Sequence, residues 1–194
     1  MSPGHPEPPP DLATRRLPIR LFSRRWVRVH RLAHAPLHFG ATGDNRFDAP
    51  AAEFGVLYVG ADIECAFIET FGHATGIRLL DRRELPLRGL ARISATRRLR
   101  LVDLRSDGLA RIGADSALTA GLDYDLAHRW AKALHDHPRA PDGIAYRARH
   151  DPARTSAAIF DRARVVLRVR RLGSIDADPT RLAGLLDRYD FGLI

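Results

Sequence analysis

Glu69 sits in a largely apolar stretch, GVLYVGADIECAFIETFGH, spanning residues 55–73. A carboxylate in such a run is either turned to water or kept for chemistry despite its cost. Three other residues could act with it. Tyr58 lies in the strand-like VLYVG just upstream, Arg46 in DNRFD before that, and Arg31 in WVRVHRL. Arginine holds phosphate through paired, charge-assisted hydrogen bonds. A tyrosine ring stacks on a flat aromatic ligand. A single carboxylate stabilises a ribosyl cation of the oxocarbenium kind. Ordinary glycosides also need a general acid, whereas NAD+ does not, because its pyridinium departs as neutral nicotinamide. Two anion clamps, one aromatic ring and one carboxylate would suffice to cleave it.

The elements that must position these residues can be read from pattern. WVRVHRL (26–32) reads as a strand with Val27, Val29 and Arg31 on one face and Trp26, Arg28, His30 and Leu32 on the other. Arginine on a strand suits an edge or an anion site. Residues 38–50 form a polar loop whose glycines admit a close ligand. VLYVG (56–60) reads as a buried strand. Asp62 caps a helix that runs to Phe71 and stops at Gly72, with Ile63, Ala66, Phe67, Thr70 and Phe71 as its buried stripe. Glu69 falls about 60° off the edge of that stripe, beside the core and not opposite it. The short Gly60-Ala61-Asp62 turn lets Tyr58 and Glu69 open onto one cleft. Residues 99–104, 143–149 and 165–171 read as strands. A helix from Asp123 to His135 is expected to bury Leu122, Leu126, Trp130 and Leu134. A last helix, capped by Asp178 with Pro179 at its first position, buries Leu182, Leu185, Leu186 and Tyr189.

Taken in order, HRLAH (30–34), GATGDNRFDAP (40–50), GVLYVGADIECAFIETFG (55–72), LRLVDL (99–104), WAKAL (130–134) and DGIAYRARHD (142–151) resemble the RES domain family over roughly residues 20–170. Each motif is weak alone; their order and spacing together are fairly specific. The resemblance implies a compact α/β (α+β) domain similar to ADP-ribosyltransferase toxins. It implies a toxin that degrades NAD+ by phosphorolysis or hydrolysis, with protein ADP-ribosylation as the alternative, and a cognate Xre-type antitoxin. It places the family glutamate on Glu69, the family tyrosine on Tyr58, and the family arginine on Arg31 or Arg46. NAD+ would be the substrate, inorganic phosphate a possible co-substrate, and no cofactor would be required. The family serine position falls on Ala148 within Tyr146-Arg147-Ala148-Arg149-His150. That departure leaves three readings open: Arg149 or His150 replaces the hydroxyl, the acceptor changes, or the protein is an inactive interaction module. Ser156 is a further hydroxyl that the fold could return to the site.

Composition bounds the rest. The 194 residues, 45% of them hydrophobic, suit one domain over 18–194. Residues 1–17 carry five of the thirteen prolines and read as a flexible tail. The one cysteine, Cys65, excludes an intramolecular disulfide framework and suits a reducing cytoplasm. No run reaches the roughly 18–20 apolar residues of a membrane span. Net charge is +8, but 30 of the 31 basic residues are scattered arginines and only Lys132 is lysine. Scattered charge argues against direct nucleic-acid binding and suits an anionic small molecule or an acidic partner. His128, His135 and His137 lack accompanying ligands at metal spacing. Cys65, roughly opposite the helix stripe, has no base near it in the sequence and is not expected to be a nucleophile. Trp26 and Trp130 read as core, and Tyr146 as core or site.

Overall fold

The computed structural model of the protein describes residues 6–74 and 76–194. In chain order its elements are β1 (Ile19–Phe22), β2 (Trp26–Arg31), β3 (Val56–Gly60), α1 (Ile63–Phe71), β4 (Leu79–Leu80), β5 (Arg88–Ala95), β6 (Leu99–Asp103), α2 (Gly108–Ile112), α3 (Ala117–Ala120), α4 (Tyr124–His135), β7 (Gly143–Arg147), β8 (Thr155–Phe160), β9 (Leu167–Ser174), α5 (Pro179–Arg188) and β10 (Gly192–Leu193). Eight strands form one sheet in the order β1-β6-β7-β8-β3-β2-β5-β9, and β10 pairs with β4 beside it. Only the β6–β7 neighbours in the large sheet are parallel.

The sheet opens at its middle. The β2–β3 ladder holds at a single pair, Val27 with Gly60. Beyond it β2 stays with β5 for six paired positions. The far end of β3 takes an isolated bridge to Gly40 in the following loop instead. The inner face curls on itself, so that Trp26 and Ile93 from one half pack with Leu57, Leu101 and Ile159 from the other. On the outer face α4 covers the β6-β7-β8-β3 half through Leu126, Trp130 and Leu134. There α1 and α5 cover the β2-β5-β9 half through Phe67, Ile68 and Leu185. The outer surface therefore has a seam between α4 and α1, lying over the place where the strands part.

The capping residues act as the sequence implies. Asp62 accepts from Cys65 N at 2.8 Å, Asp123 from Leu126 N at 3.0 Å and Asp178 from Arg181 N at 3.0 Å. Gly60 lets α1 begin directly on the sheet, since a Cβ there would stand 2.7 Å from Ala66 N and 2.9 Å from Cys65 Cβ. That close approach corrects the expected place of Cys65. It lies fully buried between α1 and β8, its Sγ 3.3 Å from both Thr155 O and Ser156 Oγ.

Other expectations are also corrected. Leu122 is 82% exposed, because it precedes the cap of α4 and lies outside the helix. Residues 161–166 form a 3-10 turn, so the strand expected at 165–171 runs from 167 to 174. Residues 6–17, expected as a free tail, lie against α4. Leu12 and Leu17 are buried, Trp130 Nε1 donates to Pro6 O at 3.0 Å and Glu7 takes two bonds from Arg129. Apolar Leu12 and Leu17 give that segment something to bury, which its prolines obscured; residues 1–5 lie outside the described residues. No described helix is long and apolar enough to cross a membrane.

Candidate active site

Arg46 is the centre of the seam. The loop around it is fixed on both sides. Asp48, fully buried, accepts from Asn45 N at 3.1 Å, from Asn45 Nδ2 at 3.0 Å and from the Tyr58 hydroxyl at 2.9 Å. The same hydroxyl accepts from Phe47 N at 2.9 Å. His128 Nε2 donates to Asn45 O at 2.9 Å, and the Phe47 ring packs edge-on against Tyr146 with centroids 5.0 Å apart. With its neighbours so held, Arg46 points inward. It is 7% exposed, its guanidinium lies 4.8 Å over the Tyr124 ring, and neither Nη1 nor Nη2 has a hydrogen-bond partner. Burial lowers its pKa, opposed by Tyr124, Tyr146 and Glu69. A guanidinium enclosed in this way keeps both terminal nitrogens as free donors, the groups an anion would need.

Glu69 faces the same space from α1. Its Oε1 accepts from His150 N at 3.1 Å. Burial raises its pKa, against the lowering effect of the His150 and Arg149 amides and of the Arg46 and Arg149 charges. Arg46 and Glu69 influence each other electrostatically yet form no ion pair among the described residues. Tyr146, 5% exposed, feels both charges, and burial drives its phenol pKa well up. His150 and His73 stand edge to face at 5.7 Å. Burial, then His73 and the Arg149, Arg78 and Arg46 charges, bring the His150 pKa down to about 4. At neutral pH it is an uncharged, weak base.

The structure thus brings Arg46, Tyr58, Glu69, Arg149 and His150 together. Past Val27, β2 leaves β3 and follows β5, so Arg31 ends exposed, opposite Arg88 in that ladder, and its side chain has no hydrogen bond or ion pair among the described residues. The Tyr58 hydroxyl takes part in the Asp48–Phe47 lock that holds the Arg46 loop. Ala148 is 1% exposed, and its amide donates to Arg154 O at 3.1 Å. Ser156 pairs with Tyr146 in the β7–β8 ladder, is 3% exposed and leans on Cys65. The Cys65 thiol is pushed up to about 11 by burial, which suits packing and not nucleophilic attack. The three discounted histidines have separate partners: His128 holds Asn45 O, His135 stacks on Phe54 at 4.0 Å, and His137 bonds Arg15 O at 3.2 Å.

Sequence reasoning missed Tyr124, His73 and Asp48. Asp48 was legible in principle, since Asn45 and Asp48 three apart form a side-chain-stabilised turn. Tyr124 comes from α4, far along the chain, and nothing local marks it.

A curled, mixed sheet split at its centre, with helices on its outer face and a cation-and-carboxylate seam over the split, is a small α/β domain. The RES domain model matches residues 25–182, and the chain belongs to that family. The chain is 31% identical over 104 residues to the probable toxin y4kH of Sinorhizobium fredii (strain NBRC 101917 / NGR234), covering 54% of this chain and 81% of that protein. Its fold is similar to a chain of the M. tuberculosis MbcT–MbcA toxin–antitoxin complex, with a TM-score of 0.59 and 16% identity over 89% of this chain and 92% of that one.

Proposed function

We propose that the protein is the toxin of a toxin–antitoxin pair and that it cleaves the nicotinamide–ribose bond of NAD+. The observation that carries this reading is Arg46, buried with both terminal nitrogens unpartnered beside the desolvated Glu69 carboxylate. Arg46, with Arg149 at the mouth, grips the pyrophosphate. Glu69, its carboxylate anchored by the His150 amide, stabilises the positive charge that develops on the ribose. The C1′–N1 pair of electrons leaves with the ring, which becomes neutral nicotinamide. Tyr146 and Tyr58 line the apolar side.

The nucleophile follows from what the site lacks. Attack by water needs a base, and His150 with a pKa of about 4 is a poor one. Phosphate dianion needs no base and is drawn to Arg46 and Arg149. Phosphorolysis to a ribosyl 1-phosphate is therefore preferred over hydrolysis or transfer to a protein side chain.

The test is nicotinamide release from NAD+ by protein freed of any partner, with and without phosphate, beside Glu69→Gln. Glu69-dependent release that phosphate accelerates, with a phosphorylated sugar product, is expected. Release indifferent to phosphate points to water or protein as acceptor. No release from folded protein refutes the activity and favours an interaction module.

A further inference from the structure

The second strongly charged feature lies away from the seam, at the β9 end of the sheet. β9 is the strand at the end of the large sheet, eight residues long, and no described strand pairs with its outer side. The main-chain bonds at its ends, Thr96 N to Val166 O and Ile175 N to Arg88 O, both run to the β5 side. A free edge of this length invites a further strand.

Its charges say which strand. Arg170 stands directly opposite Arg92 of β5, and Arg171 projects from the other face. None of the three side chains has a hydrogen bond or ion pair among the described residues. Like charges placed opposite one another in a ladder are unfavourable on their own. Arg92 also lines a groove of about 440 Å³ together with Arg25 and Arg181, between the strands and the first turns of α1 and α5. The acids at its rim are already engaged: Asp62 and Glu64 lie 2.7 and 3.3 Å from Arg154, and Asp178 lies 3.4 Å from Arg181. The Nε of Arg181 is buried without a partner.

We infer that the outer edge of β9 docks an extended acidic polypeptide segment of the antitoxin, which adds as a further strand and lays its carboxylates along Arg170, Arg171 and the Arg92 groove. This rests on the toxin–antitoxin reading but not on the NAD+ chemistry. A second copy of this chain is a poor occupant, because two such edges repel. A polypeptide fits better than a nucleic acid, because the edge offers alternating main-chain donors and acceptors and Val169 beside them is apolar and 41% exposed.

The probes are a fluorescein-labelled ten-residue peptide of alternating glutamate and valine, its lysine–valine counterpart, and a ten-nucleotide single-stranded oligothymidylate. Each is titrated against the full chain and against Arg170→Glu/Arg171→Glu, with Arg170→Gln/Arg171→Gln in reserve if the double reversal fails to fold. Binding of the acidic peptide alone is expected, weakened at least about tenfold in the variant. Amide exchange should slow over residues 167–174 in the complex. NAD+ consumption should match the wild type, and the melting temperature should stay level or rise, because Arg170→Glu sets an opposite charge across from Arg92. No acidic-peptide binding, binding untouched by the variant, protection elsewhere, or tighter binding of the oligonucleotide would each overturn the inference. A chain that binds the peptide yet consumes no NAD+ would leave the edge in place and remove the activity.

Discussion

Arg46→Met separates a binding arginine from a structural one, because the two roles predict opposite stability changes. Methionine keeps the apolar reach of the stem and removes the charge. The guanidinium forms no hydrogen bond through either terminal nitrogen, so the fold loses its contact with the Tyr124 ring, worth about 0.5–2 kcal/mol, and its attraction to the Glu69 carboxylate. Against that loss stands relief from burying an unsatisfied cation. The melting temperature should therefore stay level or rise. Ligand binding should collapse. Two charge-assisted bonds to a phosphate at about 1.5–3 kcal/mol each amount to roughly 3–6 kcal/mol. That is about 10²- to 10⁴-fold in affinity. The assay is thermal unfolding with and without ADP-ribose, plus calorimetric titration. At about a hundred times Kd the ligand adds about 2.7 kcal/mol. For a domain of this size that is a shift of about 5–11 °C, present in the wild type and absent in the variant. A variant destabilised by more than about 2 kcal/mol, or one that binds ADP-ribose within tenfold of the wild type, would refute the reasoning.

Glu69→Gln should lower nicotinamide release by at least about a hundredfold while raising the melting temperature. The sign follows from the raised pKa: a buried carboxyl favours the fold while protonated, and that contribution is lost as pH rises through its folded pKa. The thermal advantage of the glutamine should thus shrink as pH falls through that raised folded pKa and be gone below about pH 4.3. Activity of the wild type should fall on the acid side at a pH above the ordinary glutamate range. The His150 imidazole, down to about 4, should show no titration of its resonances between pH 7.5 and 5.5, against an ordinary value of about 6.5; a midpoint near 6.5 would remove the cationic surroundings assigned to it. Tyr58→Phe strands the Phe47 amide and one Asp48 oxygen. It should cost about 1–3 kcal/mol in urea unfolding and raise KM more than it lowers kcat, because the Arg46 loop loosens. Ala148→Ser restores a neutral hydrogen-bonding group worth about 0.5–1.5 kcal/mol. It should change kcat/KM by no more than about tenfold, and a larger gain would mean that the natural protein is close to inactive.

Legibility in the sequence followed locality. The three long helices were marked by their own caps, Asp62, Asp123 and Asp178, and β3 by an apolar run between glycines. β5 and β8 were hidden, since RGLARISA and TSAAIF alternate weakly and owe their burial to strands far along the chain. Glu69, Arg46 and Tyr58 were legible as chemistry near one another in sequence. The surroundings of Arg31 were not legible, because a strand assignment gives faces but not direction, and the parting of β2 from β3 exists only in the assembled sheet. Tyr124 reaches Arg46 from α4 by the same non-local packing.

The contrast among the buried charges carries the functional argument furthest. Among the described residues three charged side chains are almost wholly enclosed: Arg46, Asp48 and Asp142. Asp142 takes two bonds from Arg97, at 2.6 and 2.8 Å, and one from Arg100 N at 2.8 Å. Asp48 has its three donors from Asn45 and Tyr58. The fold has therefore satisfied both enclosed carboxylates fully, one of them within the loop that presents Arg46. A chain able to do this two residues away, yet leaving the guanidinium open on both nitrogens, holds an uncompensated cation against a stability of only about 5–15 kcal/mol. The arrangement makes physical sense when the missing partner is an anion that arrives from outside. Because the Tyr58–Asp48 lock fixes the loop beforehand, that anion meets a preorganised cation and little ordering remains to be done on binding.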